Sequence, residues 1–200
     1  MSTTRLEAYS DAVIAIVITI MVLELRPPES AGLDGLAHLL PIFLAYVLSF
    51  VYLSIYWNNH HHLLHVAEVV NGRVLWTNIH LLFWLSLVPF TTAWLSEYPG
   101  ERLPSALYGA NLFMAGLAYF IMSRSLKALH KPDSKLNQLT GSAIKEYMST
   151  GFYLLAIAVS LLGPVGIAYG IYAMVALIWV IPDRRFEAHD RDALSQTRNE

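Results

Sequence analysis

Six apolar runs, each near the length of a bilayer crossing, take up most of this 200-residue chain. They cover residues 12–25, 36–57, 74–95, 105–122, 147–162 and 165–181. A bilayer core takes about 20 mostly apolar residues per helix. Inside lipid the backbone must satisfy its own hydrogen bonds, which leaves the α-helix as the form for such runs. Composition agrees: 56% of residues are hydrophobic and 14% charged, against about 25% charged in an average globular chain. The expected fold class is all-α, an integral membrane protein with six transmembrane helices.

Other classes drop out on the same grounds. The net charge of −2 gives no basic footprint for nucleic acid. With no cysteine there is no disulfide framework, thiol catalysis or thiolate metal site. A secretory signal peptide is the competing reading of the N-terminus. It has one arginine with Glu7 and Asp11 before the apolar run, and no small-x-small cleavage site after it. We therefore expect a membrane helix there.

Breakers separate the runs. Arg26-Pro27-Pro28 stops the first helix, because proline lacks an N–H and restricts its predecessor. Asn71-Gly72 reads as the close of an extended second helix, Tyr98-Pro99-Gly100 as a turn, and Gly163-Pro164 as the short link between the last two spans. Pro104 suits a first helical turn. Thr4 and Glu7 fit a capping box, which starts the first helix near Arg5. From Arg5 to Leu25 is then about 31 Å of helix, enough to cross. The chain divides into a six-helix domain over 1–185 and a polar tail over 186–200.

Lysine and arginine set the orientation. The N-terminus, the 58–73 and 123–146 loops and the C-terminal tail carry eleven of the 13, and the other side carries only Arg26 and Arg102. Both termini should face the cytoplasm, which an even number of spans permits.

Polar groups within the spans need partners. Arg5 and Asp11 are six apart, about 240° around a helix, so they cannot pair with one another. Either they snorkel at the interface or other helices supply partners for Arg5, Ser10 and Asp11. Candidates stand at the end of the second helix, in Trp57-Asn58-Asn59-His60-His61-His62 and His65, and in the third helix at Asn78 and His80. His61 and His65 have i, i+4 spacing for a metal pair, but no second ligand cluster follows. The third helix also holds Pro89-Phe90-Thr91-Thr92, where threonine hydroxyls can satisfy carbonyls freed by a kink. Gly166 and Gly170 form a GxxxG pattern that permits close helix contact.

The first helix is unlike the rest. Its centre is almost wholly bulky aliphatic. Ile16, Ile20 and Leu23 form one stripe at i, i+4 and i+7, with Thr19 beside it as the one polar group. By periodicity alone such a stripe usually serves packing or lipid contact rather than a pore.

The stretch RLEAYSDAVIAIVITIMVLELRPP resembles the start of the transmembrane protein 175 family, the endolysosomal potassium channels and their bacterial relatives. Their hallmark is an arginine, three residues, then Phe-Ser-Asp; here Arg5 precedes Tyr9-Ser10-Asp11, with tyrosine for phenylalanine. Trp57 with His60 and His61 resembles the family's second helix, and Asn78 through Pro89 and Thr91 its third. Nearly the whole chain is covered.

The resemblance implies a homotetramer in the cell membrane, with a central potassium pathway lined by the first helix of each subunit and no TVGYG filter. It makes Ile16, Ile20 and Leu23 a hydrophobic constriction and Thr19 a selectivity layer. Arg5, Tyr9, Ser10 and Asp11 would belong to a structural network with Trp57, His60, His61 and Asn78. Four Glu24 side chains near the outer mouth would raise local cation concentration. The expected partners are potassium ions, lipid and further copies of the chain, with no cofactor, no metal site and no enzymatic activity. Alternatives are a secondary transporter or proton pathway using Asp11, His80 and the histidine run, and a membrane enzyme with a metal at His60, His61, His62 and His65.

Overall fold

Proline and glycine breakers divide the chain into helices, and a computed structural model describes residues 3–28, 30–134, 136–137 and 144–180. Residues 181–200, including the expected tail, lie outside the described residues. Every described regular element is α-helical: α1 (Thr3–Leu23), α2 (Leu33–His65), α3 (Gly72–Ser86), α4 (Val88–Glu97), α5 (Arg102–Leu129), α6 (Ile144–Leu162) and α7 (Val165–Val180). The six expected spans are thus present as helices, the third in two pieces.

Among the described residues four segments are long and apolar enough to cross a membrane: Thr3–Leu23, Leu33–His65, Gly72–Glu97 and Arg102–Leu129. The fifth, Ile144–Leu162, has 19 residues and the sixth, Val165–Val180, has 16.

Several boundaries differ from the sequence reading. Thr4 lies inside α1, not at its cap, since the helix already includes Thr3. The second helix runs eight residues past Trp57 to His65, so the histidines continue the helix. Asn71 opens α3; its side chain accepts from the Val74 N–H at 3.0 Å, an N-cap that satisfies an otherwise orphaned donor. Gly100 takes a positive φ of 89° in the expected turn, a conformation glycine adopts without Cβ strain.

Pro89 divides the third span as expected. It cannot donate to the Leu85 carbonyl one turn back, and the threonine hydroxyls that follow bond the Leu87 and Val88 carbonyls rather than that one. Thr92 Oγ1 lies 2.7 Å from the Val88 carbonyl and 2.7 Å from Ser49 Oγ, and Ser49 in turn lies 3.0 Å from the Tyr108 hydroxyl. This chain of hydroxyls ties α4, α2 and α5 at a fully interior position.

Two apolar clusters hold the bundle, and α2 and α5 contribute to both. One gathers Ile14, Val17 and Met21 of α1 with Leu53, Leu81, Leu85 and Met122. The other joins Tyr52, Leu112, Tyr153, Ala156, Ala168 and Tyr172. Small residues permit close approach of helices. Here the close approach is not at the GxxxG pair, since a Cβ added at Gly166 or Gly170 would meet nothing. It is at Gly109, where a Cβ would collide with the Tyr172 hydroxyl.

The outside is apolar where the inside is polar. Leu36, Leu40, Phe43, Leu44 and Phe50 of α2 and Leu154, Leu161 and Leu162 of α6 are exposed, while Ser49, His60, Asn78, Ser105 and Ser160 are fully buried. Exposed aliphatic faces this extensive mark a lipid or protein contact, and buried interhelical polar bonds hold helices together where lipid removes the hydrophobic drive.

Candidate functional site: a polar latch below an uncovered helix face

The helical repeat divides α1 into two faces. Leu6, Ser10, Ile14, Val17 and Met21 are buried against the bundle. Ile16, Thr19, Ile20 and Leu23 lie on the side left open, with Ile16 57% and Leu23 76% exposed. The Thr19 hydroxyl donates to the Ile16 carbonyl at 2.8 Å. Its one proton is thereby used, and its oxygen faces the open side as an acceptor only. Glu24 is exposed just past the end of α1, and a groove between α1 and α4 runs from Val13, Ile16 and Ile20 to Glu24 and Glu97.

Near its N-terminus α1 is fastened by polar bonds. Ser10 Oγ donates to the Leu6 carbonyl at 2.8 Å and receives the Asn78 Nδ2–H at 3.0 Å. Asn78 Oδ1 lies 2.7 Å from His60 Nε2. An amide oxygen only accepts, so His60 carries a proton on Nε2. The donors then run one way, from His60 to Asn78 to Ser10 to the backbone. All three side chains are 0% exposed. His60 Nδ1 is buried without a partner among the described residues.

A second set of bonds runs beside this one. Trp57 Nε1–H donates to Asp11 Oδ1 at 3.0 Å, and His61 Nδ1 meets Glu7 Oε1 at 2.8 Å. The rings of Trp57, His61 and His65 stack at 6.0 and 5.8 Å. Glu7 and Asp11 are one turn apart on α1; His61 and Trp57 are one turn apart on α2. The two pairs form an antiparallel ladder.

Of the expected network, the structure therefore brings together Ser10, His60 and Asn78, and separately Asp11 and Trp57. Asp11 pairs with the indole and with neither Arg5 nor a histidine. Arg5 and Tyr9 point outward, Tyr9 at 55% exposed, and neither enters the latch. Arg5 can be hydrated because it lies two residues from the start of the helix. Glu7, expected only as a capping residue, is the unforeseen member. Its i, i+4 relation to Asp11, matching that of Trp57 and His61, was the available signal.

His80 Nε2 accepts from Trp84 one turn on, at 2.9 Å, and is not joined to Asp11. Among the described residues no group of three or more His, Cys, Asp or Glu side chains is placed to hold a metal.

Apolar helices around a polar interior, with one helix half uncovered, define a multi-pass α-helical membrane protein. Residues 5–89 match the model of the family described as endosomal/lysosomal potassium channel TMEM175. A potassium channel of Chryseobacterium sp. (strain P1-3) is 50% identical over 187 residues, 94% of this chain and 97% of that protein. The crystal structure of a lysosomal potassium-selective channel TMEM175 homologue from Chamaesiphon minutus matches with a TM-score of 0.77 at 27% identity, over 90% of this chain and 96% of the other. The endosomal/lysosomal proton channel TMEM175 of Gallus gallus is 25% identical over 118 residues, 56% of this chain and 24% of its own length. The chain belongs to the TMEM175 family of membrane ion channels.

Proposed function

We propose that the chain is a potassium-conducting channel subunit of the cell membrane, that four copies surround one axis, and that α1 of each copy lines the pathway. The observation that carries this reading is the division of α1. Ile16, Thr19, Ile20 and Leu23 occupy the face that the subunit leaves uncovered, while the opposite face is fixed by Ile14, Val17, Met21 and the polar latch. The potassium channel of Chryseobacterium, half identical in sequence, supports the choice of ion.

In this reading rings of Ile16, Ile20 and Leu23 narrow the pathway and expel water from it, a known gating device. Potassium gives up hydration water more readily than sodium, so an apolar ring favours it modestly without a carbonyl cage. Thr19 supplies acceptor oxygens between the isoleucine rings. Glu24 concentrates cations at the outer mouth. Arg5, Tyr9, Ser10, Asp11, Trp57, His60, His61 and Asn78 belong to the cytoplasmic end, and the eleven-to-two bias of Lys and Arg supports that side for both termini.

Potassium flux into proteoliposomes, with the particle mass measured in detergent, tests the proposal. Flux from a particle of several subunits, altered by Ile16→Asn, is expected. A monomer, or flux indifferent to Ile16, refutes it. Proton conduction is the second reading, favoured by the name of the Gallus gallus relative; a pH-sensitive dye inside the same vesicles separates the two ions.

A further inference from the structure

A recess of about 40 Å³ lies between α2, α5, α6 and α7, on helices other than α1. It has room for about three water-sized groups. Tyr52 and Tyr56 of α2, Tyr119 of α5, Tyr153 of α6 and Trp179 of α7 all line it. Its depth follows from α5. Arg102 and Arg124 are about 33 Å apart along that helix, against a hydrocarbon core of about 30 Å. Tyr119 stands about 8 Å short of Arg124, and Glu146 is in the first turn of α6. The recess therefore sits just inside one headgroup layer.

The polar atoms of the wall have most of their protons engaged elsewhere. The Tyr52 hydroxyl donates to the Tyr172 carbonyl at 2.6 Å and that of Tyr119 to the Asn59 carbonyl at 3.3 Å. Ser149 donates to the Lys145 carbonyl at 2.8 Å and Thr150 to the Glu146 carbonyl at 2.7 Å. The Trp179 Nε1–H donates to Ser149 Oγ at 2.7 Å, and Tyr153 turns its hydroxyl to that of Tyr52. The oxygens of Tyr52, Tyr119, Ser149 and Thr150 thus keep a lone pair and have no proton to give. Among the described residues the donors left on the wall are the Tyr56 hydroxyl and one Asn59 amide hydrogen, the other going to the Ile55 carbonyl at 2.9 Å. Glu146 also lines the recess, but its carboxylate faces Lys127 as well. The preference for a cation therefore rests on the neutral oxygens and the rings.

Gly116 opens the space. Glycine inside a helix is less favourable than alanine, and its φ here is not positive, as that of Gly100 is. A Cβ at Gly116 would meet the Tyr56 hydroxyl at 3.6 Å and a Tyr153 ring carbon at 3.8 Å, which is ordinary contact. Alanine would fit the helix, and its methyl would enter the recess.

We propose that this recess binds a primary ammonium group, carried by a small free amine or by the ethanolamine headgroup of a membrane lipid. An ammonium brings three N–H donors and no acceptor, which matches a wall rich in oxygens and poor in protons. Aromatic rings attract a desolvated cation through the negative charge of their faces. A trimethylated ammonium lacks the N–H donors and is too large for the space.

The test is thermal unfolding of the purified full-length protein in neutral detergent at fixed ionic strength. Methylammonium, tetramethylammonium and potassium chlorides are compared, and separately phosphatidylethanolamine and phosphatidylcholine. Methylammonium is expected to raise the wild-type midpoint above the other two salts if the source is soluble, and phosphatidylethanolamine to raise it above phosphatidylcholine if the source is a lipid. Gly116→Ala should raise the midpoint of the unliganded protein and abolish the response, because the methyl occupies the site. Thr150→Val removes one acceptor at nearly constant shape and should weaken the apparent affinity about tenfold, equal to about 1.4 kcal/mol. That variant keeps the test decisive if Gly116→Ala does not fold. No response to either ammonium source, potassium or a trimethylated form as effective as the primary amine, or equal responses in wild type and Gly116→Ala overturn the proposal. Because the readout is unfolding and not flux, failure here leaves the channel reading standing.

Discussion

The indole N–H of Trp57 donates to Asp11 Oδ1 at 3.0 Å, one helical turn from the point where His61 meets Glu7 at 2.8 Å. Two rungs with the same spacing fix both the rotation and the height of α1 against α2, which neither rung fixes alone. Trp57 is 43% exposed, so each rung contributes modestly. We expect Asp11→Ala to cost about 1 kcal/mol of stability. A double-mutant cycle with Trp57→Phe should return a coupling of about 0.5–1 kcal/mol. Additive effects in thermal unfolding would mean the rung carries no energy.

Asn78 is the centre of the buried relay, and its loss should cost more. Asn78→Ala leaves the His60 Nε2–H without its acceptor in a site with no exposure. A buried unsatisfied donor costs about 1–3 kcal/mol. His60→Ala in the same background should recover part of that loss, because the stranded donor is then gone. The recovery is measured by the unfolding midpoint in detergent.

Ile16 should behave in the opposite way. More than half its surface is uncovered by the subunit, so Ile16→Asn is expected to change folding stability by less than about 0.5 kcal/mol. It should at the same time raise cation flux and reduce the discrimination between potassium and sodium. Parallel unfolding and liposome measurements separate the two effects.

Gly109→Ala should destabilise the α5–α7 contact by about 1–3 kcal/mol, as overpacking does. The added methyl would occupy the place of the Tyr172 hydroxyl, which donates to the Ser105 carbonyl at 3.0 Å. Combining it with Tyr172→Leu should cost less than the sum of the single changes. A strictly additive pair in the same unfolding assay contradicts this packing.

Helices and their breaks were legible because they depend on local chemistry. Apolar runs, Pro27-Pro28, Pro99-Gly100 and Pro89 with its threonines each act within a turn or two of their own position. The two faces of α1 also followed from spacing. What the sequence hid were relations between helices. Asn71 reads equally as the end of one helix or the cap of the next, and only the chain direction between His65 and Gly72 decides. The choice of Trp57 over Arg5 as the partner of Asp11 depends on how α1 is rotated against α2. Gly109 matters and Gly166 does not because a tyrosine from α7 happens to reach it, a fact held in no local pattern.

Among the described residues the polar fasteners of α1 lie between Glu7 and Asp11, whereas Val17 and Met21 hold its other half through apolar contact. Such a rod is a cantilever: firmly clamped at one end, with side chains further along that can slide over one another without breaking a directional bond. Leu23 stands about 18 Å beyond the clamp, so a tilt of about 10° carries it sideways by about 3 Å, a bore-sized displacement obtained with every rung still in place.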